Sequence, residues 1–229
     1  MKFILECDGV LLNVQPRYLA AYGDACAALG LPRIDPGAFW RAVRRGAADG
    51  ELVRGVKPAT LLEFRRCFDD LLESDASLDL ALPHADVAAA LGTLGRAGEC
   101  HLVSIGRNRA ARQRQLDAHN LSVHFTRMSA LRDDRAARQQ QLRQLADGDP
   151  RAVVAAAGEP TVRAAEAAGL LAVGVASGAC TAARFRRAGA RCVFADLTEL
   201  AADVAAGATA LTDAGLLPAP AVSDHPARL

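Results

Sequence analysis

The sequence predicts an α/β protein: a Rossmann-like parallel sheet with helices on both faces and a small all-helical cap inserted after the first strand. Three observations carry that expectation. Short apolar runs recur at Phe3–Leu5, His101–Ser104, Ala152–Ala155, Leu171–Val175 and Cys192–Phe194. Helical stretches separate them, the alternation of a parallel sheet covered on both faces. The first gap is far longer than the others and reads as helix only, so the intervening residues form an insert rather than another sheet unit.

Taken in order, the first run ends in Asp8-Gly9, a turn pair. Helices are then expected over Pro16–Leu29 and over Pro36–Arg45, with Asp35 as N-cap and Pro36 in the first turn. A third covers Ala59–Glu73, where Leu61, Leu62, Phe64, Phe68, Leu71 and Leu72 make a stripe at helical spacing. Beyond it come Pro83–Gly98, the arginine-rich Arg109–Asn120, Arg135–Leu145, and Thr161–Ala168 closed by Gly169. The expected organisation is a core of residues 1–14 and 82–216, a helical cap of 15–81, and a disordered Pro- and Ala-rich tail at 217–229.

Composition narrows the function classes. The chain has 229 residues, 51% of them hydrophobic, enough for one substantial α/β domain with an insert. Its formal net charge of +1 and its 4% aromatic content argue against a nucleic-acid or membrane-surface partner. The amino terminus opens directly into a strand and no apolar run approaches a membrane span, so a cytoplasmic location is expected. Six scattered cysteines without a Cys-x-x-Cys pair suit buried free thiols better than disulfides or zinc. Only Lys2 and Lys57 of the 27 basic residues are lysine.

The run Phe3-Ile4-Leu5-Glu6-Cys7-Asp8-Gly9-Val10-Leu11 places two carboxylates two positions apart at a strand end. Further on stand His101-Leu102-Val103-Ser104-Ile105-Gly106, a strand ending near a hydroxyl, and Val153 to Gly158-Glu159-Pro160-Thr161, a strand running into a helix. In this order and spacing the segments resemble the signatures of haloacid dehalogenase-like (HAD) phosphatases, particularly the phosphoglycolate phosphatase-like branch with a helical cap. The likeness extends over residues 1 to about 205.

That resemblance implies a phosphoryl-transfer site. Glu6 takes the place of the nucleophilic aspartate and Asp8 that of the acid/base, both as vestigial or impaired catalytic groups. Ser104, the backbone at Gly9, and Arg138 or Arg135 in place of a missing lysine are the implied phosphate-binding positions. Both arginines are equally well explained as surface residues of their helix. Glu6, Asp8 and Glu159 are the implied holders of Mg²⁺, weakly bound or absent. An ungapped reading puts Ala157 where the family has its metal aspartate and Thr161 on a later supporting aspartate. A two-residue deletion would put Glu159 there instead. Glu6 extends the carboxylate by one methylene, roughly 1.5 Å, and in-line attack loses on the order of 100-fold for about 1 Å of misplacement. Nucleophile, lysine and metal aspartate act as a unit. The expectation is therefore a HAD-like protein with phosphatase chemistry lost or severely reduced, still able to bind a small phosphorylated or anionic molecule. The alternative is an altered Mg²⁺-dependent phosphomonoesterase.

Overall fold

The computed structural model describes residues 1–106, 108–131 and 134–213. Arg107 and the expected disordered tail lie outside them. β1 (Lys2–Glu6) leads into the DG turn and β2 (Leu12–Asn13), followed by α1 (Gln15–Ala28), α2 (Pro36–Arg45), α3 (Asp49–Leu52), α4 (Pro58–Leu72) and α5 (Asp75–Leu78). β3 (Leu82–Pro83) and α6 (Val87–Ala97) precede β4 (Glu99–Ile105), α7 (Arg109–Ala118), β5 (Arg127–Leu131) and α8 (Arg135–Ala146). The chain continues through β6 (Val153–Ala156), α9 (Glu159–Ala168), β7 (Leu171–Val175), α10 (Ala182–Ala188), β8 (Cys192–Phe194), α11 (Leu197–Ala205) and α12 (Thr209–Asp213).

Six strands form one sheet in the order β5-β4-β1-β6-β7-β8, and every pairing is parallel. Strand period two divides the core. Phe3, Leu5, Leu102, Val153, Ala155 and Val173 face α6 and α11, whereas Ile4, Val103, Val154, Ala156 and Ala172 face α8, α9 and α10. The chain builds outward from β1 in both directions, so the carboxyl ends of β1 and β6 adjoin a reversal of strand order. In open α/β sheets that is where ligands are held.

Two expectations were displaced. β5 was missed because it is an edge strand: Arg127 to Ala130 stay partly exposed, so no apolar run announces it. The helix expected from Pro83 begins at Val87. Pro83 instead pairs with Leu12 in an antiparallel two-stranded link, and Asp86 takes a left-handed conformation (φ 58°) before the first turn.

That link, Leu12 with Pro83 and Asn13 with Leu82, brings the two ends of the helical insert together. The insert has an apolar cluster of its own, with Ala21, Tyr22, Phe39, Phe64, Phe68 and Leu72 buried. Tyr22 stacks on Phe39 at 4.0 Å and donates its hydroxyl to the Leu52 carbonyl at 3.0 Å. Trp40, partly buried, meets Tyr18 edge-on. Of the expected stripe on α4, Phe64, Phe68 and Leu72 are buried at helical spacing, while Leu62 falls off that face and is 66% exposed.

Arginines and one glutamine bind the insert to the core. Gln115 on α7 donates to the carbonyls of Leu78 and Ala81. Arg184 on α10 donates to the carbonyls of Val43 and Arg44 at the end of α2, where a cation suits the helix C-terminus. Arg44 returns a bond of 2.7 Å to the Ala176 carbonyl.

The DG turn is held by a close backbone approach. Gly9 has φ +84°, and a Cβ added to Gly178 would lie 2.6 Å from Gly9 Cα. Gly178→Ala is expected to destabilise the protein by about 1–3 kcal/mol, as overpacked positions do. Gly95→Ala, in α6 with open space around it, should stabilise by about 0.5–1 kcal/mol through helix propensity. Urea unfolding of the two variants checks both signs.

Candidate active site

Alternation along β1 decides where Glu6 points. Glu6 shares the side of Ile4, the face covered by α8 and α9, so its carboxylate runs toward the start of α9 rather than into open space. There Glu6 Oε2 accepts from the Ala157 amide and Oε1 accepts from the Thr161 hydroxyl. Gly158 adds a further amide and Arg138 a positive charge. Glu6 is 3% exposed. Burial raises its pKa above the ordinary carboxylate value, against the opposing pull of Thr161, Ala157, Arg138 and Gly158. The Glu6 carboxyl group therefore meets the turn that leads into α9, where a backbone amide and a side-chain hydroxyl both donate to it.

Asp8 lies on the far side of the same turn. Its Oδ2 accepts from Arg17 on α1 at 2.9 Å and from Arg112 on α7 at 2.8 Å. Arg17 and Arg112 are each only 4% exposed, and Arg112 is steadied by Gln115 at 2.7 Å. One carboxylate therefore ties a helix of the insert to a helix of the core. Cys7, between the two acids, is fully buried and its thiol is pushed up to about 12, chiefly by burial, which leaves it inert.

A cavity of about 580 Å³ opens between insert and core at the carboxyl ends of β1 and β6. Glu6, Asp8, Arg17, Glu159 and Arg184 contribute its polar wall, and Val14, Leu52, Phe68 and Leu72 its apolar one. Glu159 Oε1 accepts from Arg184 at 2.6 Å and Oε2 from Arg163 at 3.0 Å.

The sequence-derived site residues are only partly gathered. Glu6, Asp8 and Glu159 line the cavity together. Arg138 is buried on α8 behind Glu6 and acts on it through its charge. Arg135, one turn earlier, is exposed on the outer surface. Ser104 lines a separate, shallow recess with Arg109, Arg112 and Met128. Gly9 gives its amide to the Leu12 carbonyl at 2.9 Å, so that N–H is not offered to a ligand. Ala157 and Thr161 both meet Glu6, as a backbone donor and a hydroxyl donor. Arg17, Arg112 and Arg184 went unmarked in the sequence because an arginine within a helical stretch reads as a solvated surface residue. The scarcity of lysine was the signal that arginines carry the buried charge here.

Mg²⁺ asks for hard oxygen ligands in near-octahedral array; of the six carboxylate oxygens here, both of Glu6, Asp8 Oδ2 and both of Glu159 already accept bonds from nitrogen or hydroxyl groups, and Asp8 Oδ1 alone accepts none, a poor fit to such an array. No group of three or more His, Cys, Asp or Glu side chains placed to hold a metal occurs among the described residues. Among them, too, no helix is long and apolar enough to cross a membrane.

Comparison with solved structures gives the class of this fold. A haloacid dehalogenase-like family hydrolase of Streptococcus pneumoniae superposes with a TM-score of 0.72 at 13% identity, over 89% of this chain and 97% of that one. A structure described as a predicted phosphoglycolate phosphatase of Haemophilus somnus gives 0.64 at 16% identity, over 90% and 96%. One described as a predicted phosphatase of Clostridium acetobutylicum gives 0.66 at 15%, over 90% and 98%. The chain shares the fold of these haloacid dehalogenase-like structures. No family model matches it, and no curated protein does.

Because folding raises the pKa of Glu6, the native state holds its proton above pH 4.5, where the unfolded chain releases it. The Glu6 contribution is therefore fully present below pH 4.5 and is lost as pH rises through the folded-state pKa. Glu6→Gln should remove that part of the pH dependence, flattening the urea-derived stability profile upward from pH 4.5.

Proposed function

We propose that this protein is a HAD-fold pseudoenzyme: its cavity binds a small anionic molecule, and the phosphatase chemistry associated with the fold has been lost or severely reduced. The observation that carries this reading is the engagement of Glu6. A nucleophilic carboxylate must present an ionised oxygen to phosphorus; Glu6 is buried, with both oxygens bonded at the start of α9 and its pKa raised by burial. Ala157, with only a methyl group beside it, supplies no carboxylate for a divalent ion. Asp8 is spent on two guanidinium groups that join insert to core. A cytoplasmic protein that acts by binding, with residues 15–81 as the cap over the cavity, agrees with these features.

A second reading has one observation in its favour. Glu6, Asp8 and Glu159 line a single cavity, with the charge of Arg138 acting on Glu6. On that reading the protein is a Mg²⁺-dependent phosphomonoesterase of small phosphorylated metabolites, using Glu6 as nucleophile or metal ligand.

An assay of the purified protein with an aryl phosphate and Mg²⁺ separates the two. The expected result is no turnover above background. Turnover in the wild type that disappears in Asp8→Asn would overturn the inactive reading. The triple variant Glu6→Asp, Ala157→Asp and Arg138→Lys should gain Mg²⁺-dependent turnover, and Asp8→Asn in that background should remove about 100-fold of it or more, the range of general acid–base catalysis.

A further inference from the structure

Insert and core touch on both sides of β1, and the two sets of contacts stand differently toward the hinge between them. The chain crosses from core to insert and back at β2 and β3, which pair with each other. Element ends of this kind absorb the rotation when one layer swings against another. On the side of β4 and β5 the contacts sit beside that crossing. Gln115 holds the carbonyls of Leu78 and Ala81, and Asn108 and Arg114 hold Asp75 at 2.6 and 2.7 Å. On the side of β7 they fall midway along the insert, at the end of α2.

This second contact is a reciprocal strap of two arginines. Arg184 of the core shares Nη1 between the carbonyls of Val43 and Arg44, at 3.3 and 3.2 Å. Arg44 of the insert gives Nη2 to the Ala176 carbonyl, just past β7, at 2.7 Å. Two features make it a fitted joint. Glu159 at the start of α9 takes Arg184 Nε at 2.6 Å and fixes the direction of the fork. Gly46, the left-handed cap of α2 with φ 79°, leaves room for the guanidinium: a Cβ there would lie 2.8 Å from Arg184 Cζ. Val43, Gly46, Glu159, Ala179 and Arg184 all line the 580 Å³ cavity, so the strap crosses its rim.

We propose that the strap is a lock: it holds the insert shut over the cavity, which opens on this side only when Arg44 and Arg184 release their carbonyls. A layer free to swing about β2 and β3 would be tied only beside the hinge. Here charged donors also tie the part of the insert most remote from it along the chain. The inference goes beyond the function proposed above and holds whether the occupant is bound or turned over, so the aryl phosphate assay does not bear on it.

The test uses native thiols. Cys180 lines the cavity beside the strap, where the charges of Arg184 and Glu159 act on it, and it is 2% exposed. Cys100 in the main core and Cys26 in the insert's own cluster are buried as deeply. The full chain is treated with iodoacetamide under native conditions, and alkylation at each cysteine is followed by peptide mass spectrometry. Dividing the Cys180 rate by those of Cys100 and Cys26 separates local opening from unfolding of either layer. Arg44→Gln should raise this ratio about tenfold, the scale of one hydrogen bond to a charged group. Adding Arg184→Gln should raise it further. Asp75→Asn, beside the hinge, should leave it unchanged. Amide exchange in the double variant should quicken on both sides of the rim, in residues 43–48 and 176–181. The proposal is overturned if the ratio stays at the wild-type value in Arg44→Gln, if Asp75→Asn raises it equally, or if faster exchange is confined to the core side. If the double variant does not fold, Arg44→Gln decides through the ratio and its own exchange, since it leaves Arg184 on Glu159.

Discussion

The carboxylate of Glu6 at the start of α9 is the contact around which the rest of the site is arranged. A helix N-terminus carries unpaired amides and a partial positive charge, and it attracts an anion from wherever one is available. In this chain the acceptor at the turn into α9 is the Glu6 carboxyl group of the neighbouring strand. The Ala157 amide and the Thr161 hydroxyl are then satisfied internally, and Arg138 adds its charge from the adjacent helix. The arrangement joins β1, α8 and α9 through a buried polar cluster.

A second carboxylate has been put to a comparable use. Asp8 receives one arginine from the insert and one from the core, and Glu159 receives Arg163 and Arg184. Arg184 in turn reaches the end of α2. Insert and core are thus held by forked guanidinium groups, which can bond two partners at once where a lysine would act as a single point of charge. The near absence of lysine in the composition and the burial of Arg17, Arg112 and Arg138 in the structure are one feature. What survives between the two layers is a cavity with charged groups at its floor and apolar side chains above.

Much of the fold was legible because it is written in local periodicity. Apolar strands such as Val153–Ala156 are buried on both faces and read as continuous runs; α2 announces itself through Asp35 and Pro36. The edge strand Arg127–Leu131 was not legible, since a half-covered strand needs no such run. Nor was the start of α6, because the pairing of Pro83 with Leu12 depends on a residue far away in the chain. In the site, Glu6, Asp8 and Glu159 could be named only through the family resemblance, and all three line one cavity. Ser104 and Arg135 could be named in the same way, yet they face elsewhere.

The amino-acid order alone determined the alternation of strands and helices and the identity of the carboxylates at the end of β1, because each is a property of neighbouring residues. Only the tertiary structure decided what those carboxylates do. Whether Glu6 meets a ligand or the Ala157 amide and Thr161 hydroxyl, and whether Asp8 stands open or between Arg17 and Arg112, depends on contacts between residues up to 155 positions apart. Local sequence pattern carries no record of such distances.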